Sequence, residues 1–213
     1  MWFQRKVAGV TSETAFAKAA PAERVALAGR IAAAMHKIHR CGVPTDKEHA
    51  MTDELRILRE CLAKVAALKP EWRGRLDDLM GKCERLGSGL PRPIPCGIHR
   101  DFYPAQVLVE GQRLWLIDFD LYCLSDPGLD AGNFIAHLTE QALRERGDAL
   151  ALADVERELE ERFIALAGEP VRASVRAYTV LSLARHIFLS TRFPERAGLT
   201  ERLLELCEAR LRG

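Results

Sequence analysis

Ile98-His99-Arg100-Asp101-Phe102-Tyr103-Pro104-Ala105-Gln106 and, a few residues on, Ile117-Asp118-Phe119-Asp120 are the two stretches from which the rest of the chain is best read. Between them lie two short apolar runs, Val107-Leu108-Val109 and Leu114-Trp115-Leu116-Ile117. Glu110-Gly111-Gln112-Arg113 separates the runs and is turn chemistry for a β-hairpin. A hairpin brings its two ends together, so Asp101, Gln106 and Asp118 are expected to converge. Two carboxylates and an amide at one place suit phosphoryl transfer: one carboxylate orients an attacking hydroxyl and takes its proton, and oxygen ligands hold a hard cation against phosphate.

Outward from the hairpin the pattern is helical. Toward the N-terminus, Val25, Leu27, Ala28, Ile31, Ala32, Met35 and Ile38 form one stripe over residues 21–41, which Gly42 ends. Helices are also predicted over 52–68 and over 70–86, the latter with Pro70 at its start. Residues 87–95 carry three prolines and two glycines and read as a loop. Toward the C-terminus, helices are predicted over 129–146, 149–167, 171–192 and 200–211, with breaks at Gly147, Gly168-Glu169-Pro170 and Pro194. Residues 1–8 read as a short strand ended by Gly9, after which Thr11 or Ser12 caps a first helical turn. The two runs of the hairpin are the only internal strands expected.

The ordered set His99-Arg100-Asp101 with Gln106, Ile117-Asp118-Phe119-Asp120 and Asp126-Pro127-Gly128-Leu129-Asp130 resembles the aminoglycoside phosphotransferase and choline kinase family, relatives of the protein kinases. Ile38-His39-Arg40-Cys41-Gly42-Val43 is similar to the end of the helix that precedes the catalytic loop in that superfamily. The resemblance implies a mostly helical α+β fold, the C-terminal lobe of a protein-kinase-like fold with a small β-hairpin carrying the catalytic loop. It divides the chain into a hinge-like strand (1–8) and one phosphotransferase domain (9–213). Within that domain fall a helical insertion (44–96), a catalytic core (97–130) and C-terminal helices (131–213).

The same resemblance implies ATP and Mg²⁺ as cofactors and a small-molecule hydroxyl as acceptor. Asp101 is then the catalytic carboxylate, and Gln106 and Asp118 the metal ligands. Asp120 assists the metal or hydrogen-bonds nearby backbone. His99, Arg100 and Asp130 support the catalytic loop, Asp130 by accepting its amide hydrogens, and Phe3 and Gln4 offer hinge contacts to adenine. Gln106 stands where most relatives have Asn, as in maltokinase-like relatives, and Arg100 stands where the small-molecule branch commonly has Gly. No Gly-rich loop, phosphate-pairing lysine or partner glutamate precedes the first strand. The expectation is therefore a C-terminal lobe whose N-lobe is supplied in cis or in trans, feeble on its own, with an exposed surface open to self-association. The acceptor itself cannot be named from the sequence, and a non-catalytic kinase-like binding or regulatory module is the competing expectation.

Composition narrows the rest. In 213 residues, Lys plus Arg total 31 against 30 for Asp plus Glu, a balance that gives no footprint for nucleic acid or an anionic membrane. The 48% hydrophobic content is enough for one substantial core. No apolar run approaches a membrane span and the first residues lack a signal-peptide core, so a cytoplasmic protein is expected. The six cysteines include no C-x-x-C pair. His36, His39 and His49 are read as packing or exposed rather than as metal ligands. Tyr178, His186, Phe188 and Phe193 are read as core before acceptor recognition, and Arg202, Arg210 and Arg212 as a solvated helix face.

Overall fold

The computed structural model describes residues 8–212. Strand β1 (Val10–Thr11) runs directly into α1 (Ser12–Lys18), where the Thr11 hydroxyl accepts the Thr14 amide hydrogen at 3.3 Å. Helix α2 (Pro21–His39) follows, with Pro at its first position and Gly42 just beyond its end in the left-handed region. Helices α3 (Met51–Leu68) and α4 (Arg73–Ser88) come next, the second entered through a 3₁₀ turn at Pro70–Trp72. After β2 (Cys96–Ile98) come β3 (Val107–Glu110), β4 (Arg113–Leu116) and β5 (Cys123–Ser125). Four helices complete the chain: α5 (Gly128–Arg146), α6 (Ala153–Ala167), α7 (Arg172–Ser190) and α8 (Thr200–Arg210).

The hairpin forms as its alternation demands, with Val107 opposite Leu116 and Glu110 opposite Arg113, and β1 extends it antiparallel through Val10 opposite Val109. The structure departs from the sequence reading in several places: β1 lies beyond Gly9, and α6 starts at Ala153 where a helix from 149 was expected. β2 and β5 form a second antiparallel pair, Ile98 opposite Cys123, that the apolar pattern did not reveal. Each has three residues, too few for an alternation to register, and β2 contains Gly97. The loop expected from residue 87 starts later, because α4 continues through Gly87 to Ser88. Of the expected strand 1–8, residues 1–7 lie outside the described residues.

Two apolar cores sit on either side of the α5–α7 pair. One gathers α1, α2, α5 and α6 around Phe16, Ile31, Phe134 and Phe163, and takes in Phe102 and Val107 from the loop and hairpin. The other gathers α3, α4, α7 and α8 around Leu58, Leu79, Leu183 and Leu203. A smaller cluster of Ile98, Cys123, Leu129 and Tyr178 locks the β2–β5 pair onto both central helices. Among the described residues no helix is long and apolar enough to cross a membrane. All six cysteines are free.

Close approach of α5 to α7 depends on two glycines one turn apart. A Cβ added at Gly132 would lie 2.7 Å from the Thr179 nitrogen and 2.7 Å from the Val175 carbonyl oxygen, and one at Gly128 would lie 2.8 Å from the Val175 nitrogen. The obstructing atoms are mostly backbone, so α7 has to move away as a unit. Gly132→Ala is therefore expected to cost about 1–3 kcal/mol, the usual penalty of overpacking. Urea denaturation measures it, and an unchanged midpoint would mean that the two helices separate freely.

Candidate active site

The loop from β2 to β3 is held at five points. Asp130, at the start of α5 and fully buried, accepts the His99 amide hydrogen at 2.9 Å through Oδ2 and the Arg100 amide hydrogen at 2.8 Å through Oδ1. One turn further along α5, the Asn133 side chain donates to the Phe102 carbonyl at 3.1 Å. From α1 the Ser12 hydroxyl donates to the Pro104 carbonyl at 2.8 Å. The His99 ring crosses to the far end of the hairpin, where Nε2 donates to the Ile117 carbonyl at 2.8 Å. That ring also packs 5.5 Å from Phe102 and 4.7 Å from Phe119, centroid to centroid, so it joins the two stretches on which the sequence reading rests.

Two residues of this site occupy the left-handed region without being glycine: Arg100 at φ 72° and Asp118 at φ 66°. Such backbone costs of the order of 1–3 kcal/mol per residue and persists only where the surroundings impose it. Here the hydrogen bond from the Arg100 amide to Asp130 holds one, and the Gln106 side-chain nitrogen, donating to Asp118 Oδ2 at 3.0 Å, holds the other. A left-handed backbone at position 100 also gives a physical reason for the glycine that resembling enzymes commonly carry there.

Gln106 is 6% exposed and closes the short 3₁₀ turn Pro104–Gln106. Its carbonyl accepts the Ile117 amide hydrogen at 3.1 Å while its side chain reaches Asp118, so the hairpin does bring positions 106 and 118 together. Burial pushes the Asp101 carboxyl above its ordinary range and the nearby charge of Asp118 adds to the rise, while Arg185 opposes it. Asp120 lies exposed, and its backbone carbonyl accepts from Lys47 Nζ at 3.0 Å. Phe3 and Gln4 lie outside the described residues.

Three contributors escaped the sequence reading. His39, read there as packing or exposed, donates from Nε2 to Asp130 Oδ2 at 2.9 Å with both side chains buried. Asn133 reaches the loop as described, and its own oxygen accepts from Arg185 Nη2 at 3.0 Å. Arg185 in turn lines a cavity with Asp101. Asn133 alone had a signal, since it follows Asp130 by three residues and so shares its helix face. Of the residues weighed as core, Tyr178 and His186 are buried, and Phe193 is 44% exposed beneath the Arg196 guanidinium. Arg202 and Arg210 are not merely solvated, since they donate to the Gly147 carbonyl and the Thr139 hydroxyl.

Two depressions meet this site. A cavity of about 510 Å³ runs from Asp101 and Tyr103 toward α5 and α7. On the opposite side an apolar groove of about 920 Å³ lies between α2 and β4 and ends at Phe119 and Tyr122.

The chain belongs to the phosphotransferase enzyme family, whose model matches residues 3–178. Among solved structures it is similar to a choline/ethanolamine kinase family protein from Mesorhizobium loti, at 17% identity and a TM-score of 0.70, covering 98% of this chain and 69% of that one. It is also similar to a spectinomycin phosphotransferase, at 14% identity and a TM-score of 0.57, covering 96% and 69%. A choline kinase from Streptococcus pneumoniae matches at 14% identity and a TM-score of 0.60, covering 95% and 66%. The chain thus spans about two thirds of the length of each. These likenesses establish the kinase-like fold. No curated protein matches the chain.

Arg100→Gly is expected to stabilise the fold by about 1 kcal/mol, the relief of the left-handed strain less the entropy that glycine loses on folding. Thermal unfolding of the two proteins measures it, and a lower melting temperature for the variant would mean that the Arg100 side chain contributes more than its backbone costs.

Proposed function

We propose that this protein transfers the γ-phosphoryl group of ATP to a hydroxyl of a small molecule, with Asp101 accepting the hydroxyl proton. The observation that carries the reading is the convergence of Asp101, Gln106 and Asp118 at the two ends of one hairpin, in a chain of the phosphotransferase family. The spectinomycin phosphotransferase of similar fold was seen with ADP, in keeping with a nucleotide donor.

The donor set suits magnesium. Among the described residues no three His, Cys, Asp or Glu side chains form a metal cage. Mg²⁺ is ordinarily held by one or two carboxylates and the substrate phosphates; Asp118 would supply such a carboxylate, and the Gln106 amide, which here turns its nitrogen to Asp118, would have to turn over to offer its oxygen. When bound, the ion neutralises charge on the phosphates. Asp101 orients the acceptor hydroxyl, whose oxygen bonds to the γ-phosphorus as the bond to the bridging oxygen breaks, and the proton passes to the Asp101 carboxylate. Asp130, His39 and Asn133 hold the loop that carries Asp101, so that little reorganisation accompanies the transfer.

The test is a screen of hydroxyl compounds with Mg-ATP, read as ADP release and by mass of the product. Asp101→Asn is expected to lower kcat by at least about a hundredfold, the usual scale of a lost general base, while leaving nucleotide binding in place. Asp118→Ala is expected to weaken Mg-nucleotide binding as well. Tight Mg-ATP binding with no turnover of any acceptor would favour a binding module instead.

The acid limb of the rate profile offers a second check. Asp101 works ionised, so activity rises with pH through its pKa, which burial has already raised. Arg185 lowers that pKa, and Arg185→Gln is therefore expected to move the acid limb of kcat/KM to higher pH. A limb that stays in place or moves down would separate Arg185 from Asp101.

A further inference from the structure

The cavity beside Asp101 is lined by three arginines, Arg144, Arg185 and Arg196, and, apart from Asp101 itself, by two carboxylates, Glu13 and Glu140. Arg144 takes both of those carboxylates: its Nη2 meets Glu13 at 2.8 Å and its Nε meets Glu140 at 3.1 Å. Both acids are thereby paired with one guanidinium.

The other two guanidiniums are less satisfied. Arg185 makes one side-chain hydrogen bond among the described residues, to Asn133 Oδ1, and its nearest carboxylate is Glu54 at 3.6 Å, which is itself bonded to His49 at 2.7 Å. Arg196 makes no side-chain hydrogen bond among the described residues. It rests on the Phe193 ring at 4.9 Å, and its nearest carboxylate is the Glu140 already shared with Arg144, at 3.9 Å. Each guanidinium carries five donors in a planar fork that matches a carboxylate or phosphate.

The wall between them adds shape and no charge. The Tyr103 ring stacks on His137 at 4.6 Å and 23°, and His137 meets His186 edge-on at 4.4 Å. Burial holds the His137 pKa well below its ordinary value and pushes that of His186 down to about 3, with Arg185, Arg196 and Arg144 lowering both further. Both rings are therefore neutral near pH 7, and the charges of the cavity are its three arginines and three carboxylates. With Arg144 paired to Glu13 and Glu140, the charges left to face an acceptor are the guanidiniums of Arg185 and Arg196 and the carboxylate of Asp101.

Resting on the phosphotransferase reading above, we propose that the acceptor is a hydroxyl compound that also carries a carboxylate or phosphate group, which Arg185 and Arg196 grip so that its hydroxyl faces Asp101. The cavity, about 510 Å³, is of the size that takes a small ligand. The aromatic wall receives the carbon skeleton and the arginines receive the anion, which favours anionic acceptors over amines.

Calorimetric titration of the full chain tests this with matched probes: gluconate against sorbitol, glycerol phosphate against glycerol, and choline as the cation. At least one anionic probe is expected to bind about tenfold or more tightly than its uncharged counterpart, the scale of one charge-assisted hydrogen bond, and choline more weakly than either anion. The gluconate and glycerol phosphate arms separate a carboxylate from a phosphate. Arg196→Gln is expected to remove most of the anion's advantage while changing the uncharged probe's affinity by less than about twofold, and Arg196→Lys to restore part of it. Circular dichroism confirms that both variants fold, and Arg196 lies on a short 3₁₀ turn outside the main helices.

Equal affinity for charged and uncharged probes, tighter binding of choline, or an equal loss for both probes in Arg196→Gln would overturn the proposal. Because the readout is binding, the two readings fail separately. Arginine-dependent anion binding without phosphorylation of any acceptor counts against the phosphotransferase and not against the anion site. Phosphorylation of choline in preference to the anions does the reverse.

Discussion

Everything in the site hangs from the carboxylate of Asp130. It is fully buried, and a buried carboxylate is tolerable only when its oxygens are occupied by good donors. Three serve it: the amides of His99 and Arg100, and the ring of His39. The arrangement works in both directions. The donors make the buried acid affordable, and the acid holds Arg100 in a backbone conformation it would not choose. The same residue sits in the first turn of α5, where the aligned peptide dipoles favour a negative charge. Helix, loop and the left-handed turn before Asp101 are thereby one mechanical unit.

That unit needs α5 to be fixed in turn, and α7 fixes it. Gly128 and Gly132 let the two helices approach backbone to backbone, and Asn133, on the same stretch of α5, connects the Phe102 carbonyl to Arg185 of α7. A displacement of α7 would therefore reach the loop that carries Asp101 through hydrogen bonds as well as through packing. Asp126 anchors the start of α5 from the other side, accepting from the Gly128 amide at 2.8 Å and the Ser174 hydroxyl at 3.0 Å.

How much of this could be read from the amino acids alone depends on distance along the chain. The hairpin alternates over four residues on each side, the long helices repeat their apolar stripes over several turns, and Gly42, Gly147 and Gly168 each mark an end by adopting positive φ. The closeness of Asp101, Gln106 and Asp118 was legible because one short hairpin joins them. β2 and β5 were not, since three-residue strands carry no period and their pairing is set by Tyr178 and Leu129 beneath them. His39 and Asp130 are 91 positions apart, and no local pattern announces their bond. The cavity walls are the extreme case: Glu13, Arg144 and Arg196 come from α1, α5 and a 3₁₀ turn near the end of the chain, and only tertiary packing makes them neighbours.

Gln106 shows how a local departure is absorbed by such geometry. An asparagine at this position would be one methylene shorter, and the span to Asp118 would have to close by backbone movement. With glutamine, the backbone carbonyl meets the Ile117 amide at 3.1 Å and the side chain meets Asp118 at 3.0 Å, so one residue bonds the far end of the hairpin twice. The extra methylene is thus accommodated by the depth at which Gln106 sits, 6% exposed at the end of its 3₁₀ turn, and the fixed hairpin register beneath it keeps the amide nitrogen within hydrogen-bond reach of Asp118.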